Sequence, residues 1–455
     1  MIFQTVNPAN EKVINEYTAL DFKAAEQKID SAFAAYTHWR KKSFSDKSVL
    51  VNALAKLLRQ KTEALSQMIT MEMGKPMTQA QAEIEKCAWL CDHYALHAEH
   101  YLADHSIQTE MKKTLVCYKP MGVILAIMPW NFPFWQVFRC AIPAIMAGNA
   151  VILKHAPISI GAGNLMEQLF LEAGFPLGLF QNLIIDNEVA AKVIAHPQIA
   201  GLSFTGSEKA GRIVGGAAVS HLKKAVLELG GSDPYLILED ADLDIAAQAV
   251  VSSRLNNCGQ VCIAAKRVIV VQSIKEKLQE KIQQLIVEYK MDDPAKKTTR
   301  LGPMARNDLR KTLQQQVEQS ISKAAGLICG GQIPQGAGFY YPPTLLVDVK
   351  PGMPAFDEEL FGPVIALIDA RDEKQGIELA NHTRYGLGAA VFTRDLERGE
   401  RIARDEIEAG SCFVNAFVAS DPRVPFGGIK NSGIGRELSR EGILEFVNVK
   451  TVAIK

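Results

Sequence analysis

The feature that most constrains this chain is an alternation of strand and helix signals between residues 150 and 231. "AVILKHA" reads as a strand, "ISIGAGNLMEQLFLEAG" as a helix, "QNLIID" as a strand and "NEVAAKVIAH" as a helix. "IAGLSFTG", "SEKAGRIVGGAAV" and "KKAVLELGG" continue the series as strand, helix and strand. Strands separated by helices cannot pair as hairpins. Each returns by a crossover, which predicts a parallel, doubly wound sheet of the kind that binds dinucleotides. The alternation resumes after Gly231 with "DPYLILED", "ADLDIAAQAVVSSRLNN" and "RVIVV", predicting a second α/β domain. Upstream, apolar positions at helical spacing make residues 21–105 a series of helices, with a stop at Gly74-Lys75-Pro76. The C-terminal "FVNVKTVAIK" alternates with period two and is expected to join a distant strand or another subunit.

The 455 residues suit two to three domains. Basic and acidic residues balance at 50 each, so no footprint for nucleic acid or an anionic membrane is expected. The N-terminus carries neither a basic nor an apolar targeting region, and the most apolar stretch, "MGVILAIMPWNFPFW", is broken by Pro129, Asn131 and Pro133. Eight cysteines scattered over such a chain do not make a disulfide framework. A reduced, cytoplasmic enzyme is expected.

Four segments carry candidate chemistry. In "IAGLSFTGSEKAG" a strand runs into Gly206-Ser207 and a helix opens toward Gly211. Glycine there lets the backbone approach a phosphate, which the helix dipole favours. The G-x-G-x-x-G fingerprint is absent, and a plain strand–helix turn fits equally well. In "MPWNFPFWQVFRC", Asn131 places an amide at a strand end, able to donate to a developing oxyanion or to form an Asx turn before proline. In "LELGG", Glu228 ends an apolar strand, where desolvation raises a carboxyl's pKa toward that of a general base; a capping or salt-bridged glutamate is the alternative. In "RLNNCGQVCIAAKRVIV", Cys258 and Cys262 stand four residues apart, readable as nucleophile, redox pair, metal ligands or packing.

In this order and spacing, "PWNFP", "FTGS", "LELGG", "GQVC" and "EELFGPV" resemble the aldehyde dehydrogenase superfamily, from "TVNPAN" to "VKTVAIK". The resemblance implies a Rossmann-type cofactor domain (1–102 and 121–229), an α/β catalytic domain (230–430) and a small β extension for oligomerisation (103–120 and 431–455). It implies Cys262 as nucleophile, Asn131 with the Cys262 N–H as oxyanion donors, and Glu228 as general base. Trp130, Lys154, Gly206, Ser207, Glu359 and Phe361 are implied as cofactor contacts. Cysteine attack on an aldehyde would give a thiohemiacetal, then a thioester that water hydrolyses. The terminal strands are similar to the family's oligomerisation hairpin, implying a homodimer or tetramer.

The wording "LKHAP", "GQVCIAAKR" and "SDPRVPFGG" is most similar to the succinate-semialdehyde dehydrogenase branch. By that resemblance Arg139, on one helical face with Trp135, binds the substrate's distal carboxylate, and Ser420 is a second contact. An inter-helix salt bridge is the alternative for Arg139. The branch's other arginine is replaced here by Asn256. Glutarate semialdehyde, one methylene longer, is an alternative substrate. NAD is expected; Pro157 stands where many NAD-preferring relatives have glutamate, so NADP is compatible too, with Lys154 or His155 pairing with its 2′-phosphate.

Other readings are a coenzyme A-dependent enzyme, disfavoured by Glu228, a cysteine esterase, which lacks a recognisable partner histidine, and a non-catalytic scaffold. Cys87, Cys91, His93, His97 and His100 have helical spacing, but are expected to form a mixed helix surface rather than a metal site. Cys258 is expected to be a packing residue. Relatives that form a regulatory disulfide use a cysteine two residues from the nucleophile, where this chain has Gln260 and Ala264.

Overall fold

The computed structural model describes all 455 residues. The chain opens with an antiparallel hairpin, β1 (Ile2–Val6) and β2 (Val13–Thr18), unforeseen in the sequence reading. Four helices follow: α1 (Phe22–Trp39), α2 (Phe44–Gln60), α3 (Thr62–Met73) and α4 (Met77–Tyr101). Ser43 and Asp46 close a capping box on α2. Gly74, at φ +77°, ends α3 at the foreseen stop.

Short β3 (His105–Ile107) and long β4 (Lys113–Pro120) precede the alternating region. That region contains β5 (Val123–Met128), α5 (Trp135–Met146), β6 (Ala150–His155), α6 (Ile160–Glu172) and β7 (Phe180–Asn182). It continues with α7 (Asn187–Ala195), β8 (Ile199–Thr205), α8 (Glu208–Ser220) and β9 (Lys224–Glu228). The five strands pair in parallel in the order β9-β8-β5-β6-β7, and Gly433–Ile434 adds an antiparallel edge on β9. Helices cover both faces, which is why β6 is buried throughout and reads as a continuous apolar run.

Succession runs outward from β5 to β7, then crosses back to β8. The order therefore reverses between β5 and β8, and a crevice opens beyond their C-terminal ends. The segments following β5 and β8 are those holding Trp130-Asn131 and Gly206-Ser207.

The second sheet contains β10 (Pro234–Ile237) and, after α9 (Leu243–Leu255), β11 (Arg267–Val271). Its seven strands run in the order Gly326–Cys329, Thr344–Val347, Val364–Ala370, β11, β10, Gly388–Phe392, Ser411–Val414, all parallel except the first. The C-terminal strand Val447–Ile454 finds its partner within the same chain: it lies antiparallel on β4 along its whole length, from Val447 opposite Pro120 to Ile454 opposite Lys113. No helix is long and apolar enough to cross a membrane.

The histidine- and cysteine-rich part of α4 differs from its expected place. Cys87 and Cys91 are fully buried in the core rather than on a mixed helix surface, because their side of α4 packs against the neighbouring helices. His93 lies 3.1 Å from the Tyr101 hydroxyl, and its ring centroid is 4.6 Å from that of His97.

Candidate active site

Between α9 and β11 the chain makes a tight turn in which Asn257 (φ 50°), Cys258 (φ 53°) and Gly259 (φ 71°) are all left-handed. A Cβ on Gly259 would sit 2.1 Å from the Gly362 carbonyl, so only glycine fits. Fully buried Arg254 clamps the turn through the carbonyls of Leu360 (2.7 Å) and Gly259 (3.3 Å). Asn257 donates from Nδ2 to the Asn131 carbonyl at 2.7 Å, tying this turn to the one after β5. Cys258 is buried beside Arg254, as a packing residue, and burial pushes its thiol well up.

The turn delivers half-buried Cys262 to the meeting point of two cavities. One, of about 840 Å³, fills the crevice at the strand switch point; the other, of about 400 Å³, lies between α4, α5 and the segment 417–426. Cys262 and Gln136 line both. Burial pushes the Cys262 thiol up to about 11, with Arg139 and Lys266 pulling the other way. The free thiol is therefore protonated at neutral pH.

All six expected cofactor contacts, Trp130, Lys154, Gly206, Ser207, Glu359 and Phe361, line the larger cavity. Ser207 caps α8, accepting from the Ala210 N–H, so the positive end of that helix faces the space. Gly211 has a packing role: a Cβ there would lie 2.3 Å from Leu229 Cδ2. The buried Thr205 hydroxyl lines the cavity without a hydrogen-bond partner. An unpartnered hydroxyl beside a helix N-terminus and an amine at Lys154 fit a phosphate-bearing dinucleotide. Glu359 accepts from Lys266 Nζ (2.9 Å) and from the Gly231 N–H (3.2 Å).

His155 is not available to a 2′-phosphate, contrary to expectation. It is absent from the cavity wall, its Nδ1 accepts from the Ala156 N–H at 2.8 Å, and its Nε2 lies 3.0 Å from the Pro133 carbonyl. Burial pushes its pKa down to about 4, so it carries no charge.

Asn131 donates from Nδ2 to the Gln260 carbonyl (2.9 Å) and accepts from Gln136 Nε2 (3.1 Å). These bonds fix the amide's orientation, and the second Nδ2 hydrogen is left to the cavity. Glu228 lines neither cavity. Its Oε1 lies 2.7 Å from where a Gly427 Cβ would be, and neither carboxylate oxygen has a hydrogen-bond partner. Burial, then the charge of Glu437, raises its pKa well above the usual carboxylate range, with Arg139 and Arg436 opposing.

Trp135, Arg139 and Ser420 all line the smaller cavity. Arg139 also forms an ion pair, with Nε 2.7 Å from Glu437 Oε2, but to the segment before Ser439–Leu444 rather than to another helix, and its guanidinium stacks over Phe426. Among the cavity residues that escaped the sequence reading are Gln79, Glu83 and Lys86 of α4. Their i, i+4, i+7 spacing on α4 was the available signal. Glu83 Oε1 accepts from the Phe134 and Trp135 N–H groups at 2.9 and 3.0 Å, capping α5 from outside, and Lys75 neutralises it.

Comparison with known proteins agrees with this geometry. A probable succinate-semialdehyde dehydrogenase (NADP(+)) of Synechocystis sp. is 45% identical over 454 residues, covering 100% of both chains. The succinate semialdehyde dehydrogenase (NAD(P)+) Sad of Escherichia coli strain K12 is 44% identical, covering 98% of this chain and 97% of its own. Among solved structures, succinic semialdehyde dehydrogenase from Streptococcus pyogenes, in complex with NADP+, superposes with a TM-score of 0.97 at 34% identity, covering 99% of each chain. The model of the aldehyde dehydrogenase family matches residues 1–452. With the family model spanning nearly the whole chain and relatives of 44–45% identity covering it end to end, the chain belongs to the aldehyde dehydrogenase family.

Proposed function

We propose that this protein oxidises succinate semialdehyde to succinate, with a nicotinamide dinucleotide as electron acceptor. The observation that carries the reading is Cys262 at the junction of two cavities, one fitted to a dinucleotide and one walled by Arg139, Lys86 and Ser420. The names of the relatives support the same substrate.

Cys262, once ionised, attacks the aldehyde carbon from the wall between the cavities. The free hydrogen of Asn131 Nδ2 and the Cys262 N–H stabilise the oxyanion of the resulting thiohemiacetal. Lys154, Ser207, Gly206, Glu359 and Phe361 would hold the dinucleotide, which supplies the hydride acceptor when bound. The thioester left on Cys262 requires an activated water. Glu228 provides the base by turning from beside Gly427 toward Cys262, a motion that also ionises it by bringing it out of its apolar, Glu437-facing position.

For the cofactor, the reading extends to NADP. Glu359 is the only acidic residue lining the larger cavity, and it is engaged by Lys266, so no carboxylate in the lining repels a 2′-phosphate near Lys154. The relatives' names include NADP(+) and NAD(P)+. We also assign residues 1–102 and 121–229 to the cofactor domain and 230–430 to the catalytic domain, with the sheet of β3, β4 and Val447–Ile454 as the edge through which copies assemble. The test is reduction of NAD and NADP, followed at about 340 nm, with succinate semialdehyde, glutarate semialdehyde and butanal. Highest kcat/KM for succinate semialdehyde is expected; a preference for butanal refutes the reading.

A further inference from the structure

Three cations line the smaller cavity: Lys75, Lys86 and Arg139. Lys75 is paired with fully buried Glu83, and Arg139 with buried Glu437. Lys86 alone forms no ion pair. Its Nζ donates to Ser420 Oγ at 2.8 Å and lies 4.4 Å from the centroid of the Trp135 ring. With no ion-pair partner in contact, its ammonium is poorly compensated: Arg139 nearby adds repulsion, which Cys87, Asp421 and Glu83 offset only in part. Burial accordingly pushes the Lys86 pKa down to about 8.

The Ser420 hydroxyl beside Lys86 is polarised in the same sense. Its Oγ accepts from Lys86 Nζ and, at 3.2 Å, from Trp135 Nε1. An ammonium and an indole N–H only donate, so both lone pairs of the hydroxyl are occupied. Its own hydrogen has no acceptor in the protein. A cation without a counter-ion and a hydroxyl forced to donate thus stand side by side on one wall.

We propose that Lys86, with the Ser420 hydroxyl it orients, anchors the distal carboxylate of the substrate and sets the preference for acid semialdehydes. The carboxylate supplies the missing counter-ion, accepts the Ser420 hydrogen and screens Lys86 from Arg139. Arg139, paired with Glu437 on the same wall, adds its charge to the site, and its Nη2 has no hydrogen-bond partner in the protein. The inference rests on the acid-semialdehyde reading above, and its test separates the two.

The experiment measures kcat and KM for succinate semialdehyde and for butanal, which has a methyl group in place of the carboxylate. Wild type, Lys86→Met, Lys86→Arg and Ser420→Ala are compared. The ratio of KM for butanal to KM for succinate semialdehyde should fall about 10- to 100-fold in K86M, as for a lost hydrogen-bonded charge. The loss should appear in KM, with kcat for succinate semialdehyde changing much less. K86R should keep most of the ratio, and S420A should lose part of it. A ratio unchanged in K86M, or rescued no better by arginine than by methionine, overturns the role of Lys86. Should K86M not fold, an undiminished ratio in S420A together with a collapsed ratio in K86R overturns it equally. A wild type without preference for succinate semialdehyde overturns the acid-semialdehyde reading itself.

Discussion

Replacing Glu437 with glutamine tests the electrostatics that hold Glu228 in reserve. Arg139 and Glu437 form a close pair with 3% of each side chain exposed. Removing one partner of a buried pair costs about 3–5 kcal/mol, because the other charge stays in a poorly polarisable interior. Glutamine keeps the volume and an acceptor oxygen, and Glu228 is at hand as a second counter-ion. Glu437→Gln should therefore lose about 3 kcal/mol of stability, the lower end of that range.

The kinetic effect has a definite sign. Burial and the charge of Glu437 raise the Glu228 pKa, while Arg139 favours its ionised form. The substitution deletes the repelling charge and frees the attracting one, so both changes lower the Glu228 pKa. The acid limb of kcat for succinate semialdehyde moves to lower pH, and the plateau falls because the carboxylate now stays with Arg139. Stability follows the same linkage. In wild type, above the ordinary carboxylate range, the unfolded chain releases the Glu228 proton and the folded chain keeps it, so stability falls as pH rises until folded Glu228 ionises. E437Q flattens that fall. The assay is kcat from about pH 5 to 9 with denaturant melts at each pH. An acid limb that stays in place, or moves upward, refutes the reasoning.

Four further outcomes are expected. Alkylation of Cys262 by iodoacetamide in the free enzyme should rise about tenfold per pH unit up to the thiol's pKa near 11; a plateau below pH 8 contradicts the burial argument. Asn131→Ala should lower kcat about 100- to 1000-fold through loss of the oxyanion donor; a drop under tenfold contradicts that role. Lys154→Ala should raise KM for NADP more than for NAD, whereas His155→Asn should shift the two alike, which paired cofactor titrations distinguish. The preference for succinate semialdehyde over butanal should decline as pH rises through about 8, where Lys86 loses its charge among Glu83, Cys87, Arg139 and Asp421; a preference constant to pH 10 contradicts it.

What was legible in the sequence, and what was not, follows from the range of the interactions involved. The strands β5 and β6 announce themselves because both faces are buried, and alternation with helices then dictates parallel pairing and a crevice at the switch point. Residues at or just beyond the C-terminal ends of β5, β6 and β8, namely Asn131, Lys154 and Gly206, consequently face the crevice wherever the rest of the chain goes. Charge pairing is different, because it is decided by partners remote in sequence. Arg139 reads either as a carboxylate binder or as half of a salt bridge until Glu437, supplied by the C-terminal segment, closes on it. Lys86 reads as one more polar residue of an amphipathic helix until α5 brings Trp135 and the loop after Ser411–Val414 brings Ser420. His155 looks accessible until its backbone neighbours occupy both ring nitrogens. The candidate thiol, amide and carboxyl therefore stood out in local pattern with bland alternatives beside them, and their roles came from the family resemblance. Which cation is left over to choose the substrate depends on every other charge having found its partner, and only the folded chain decides that.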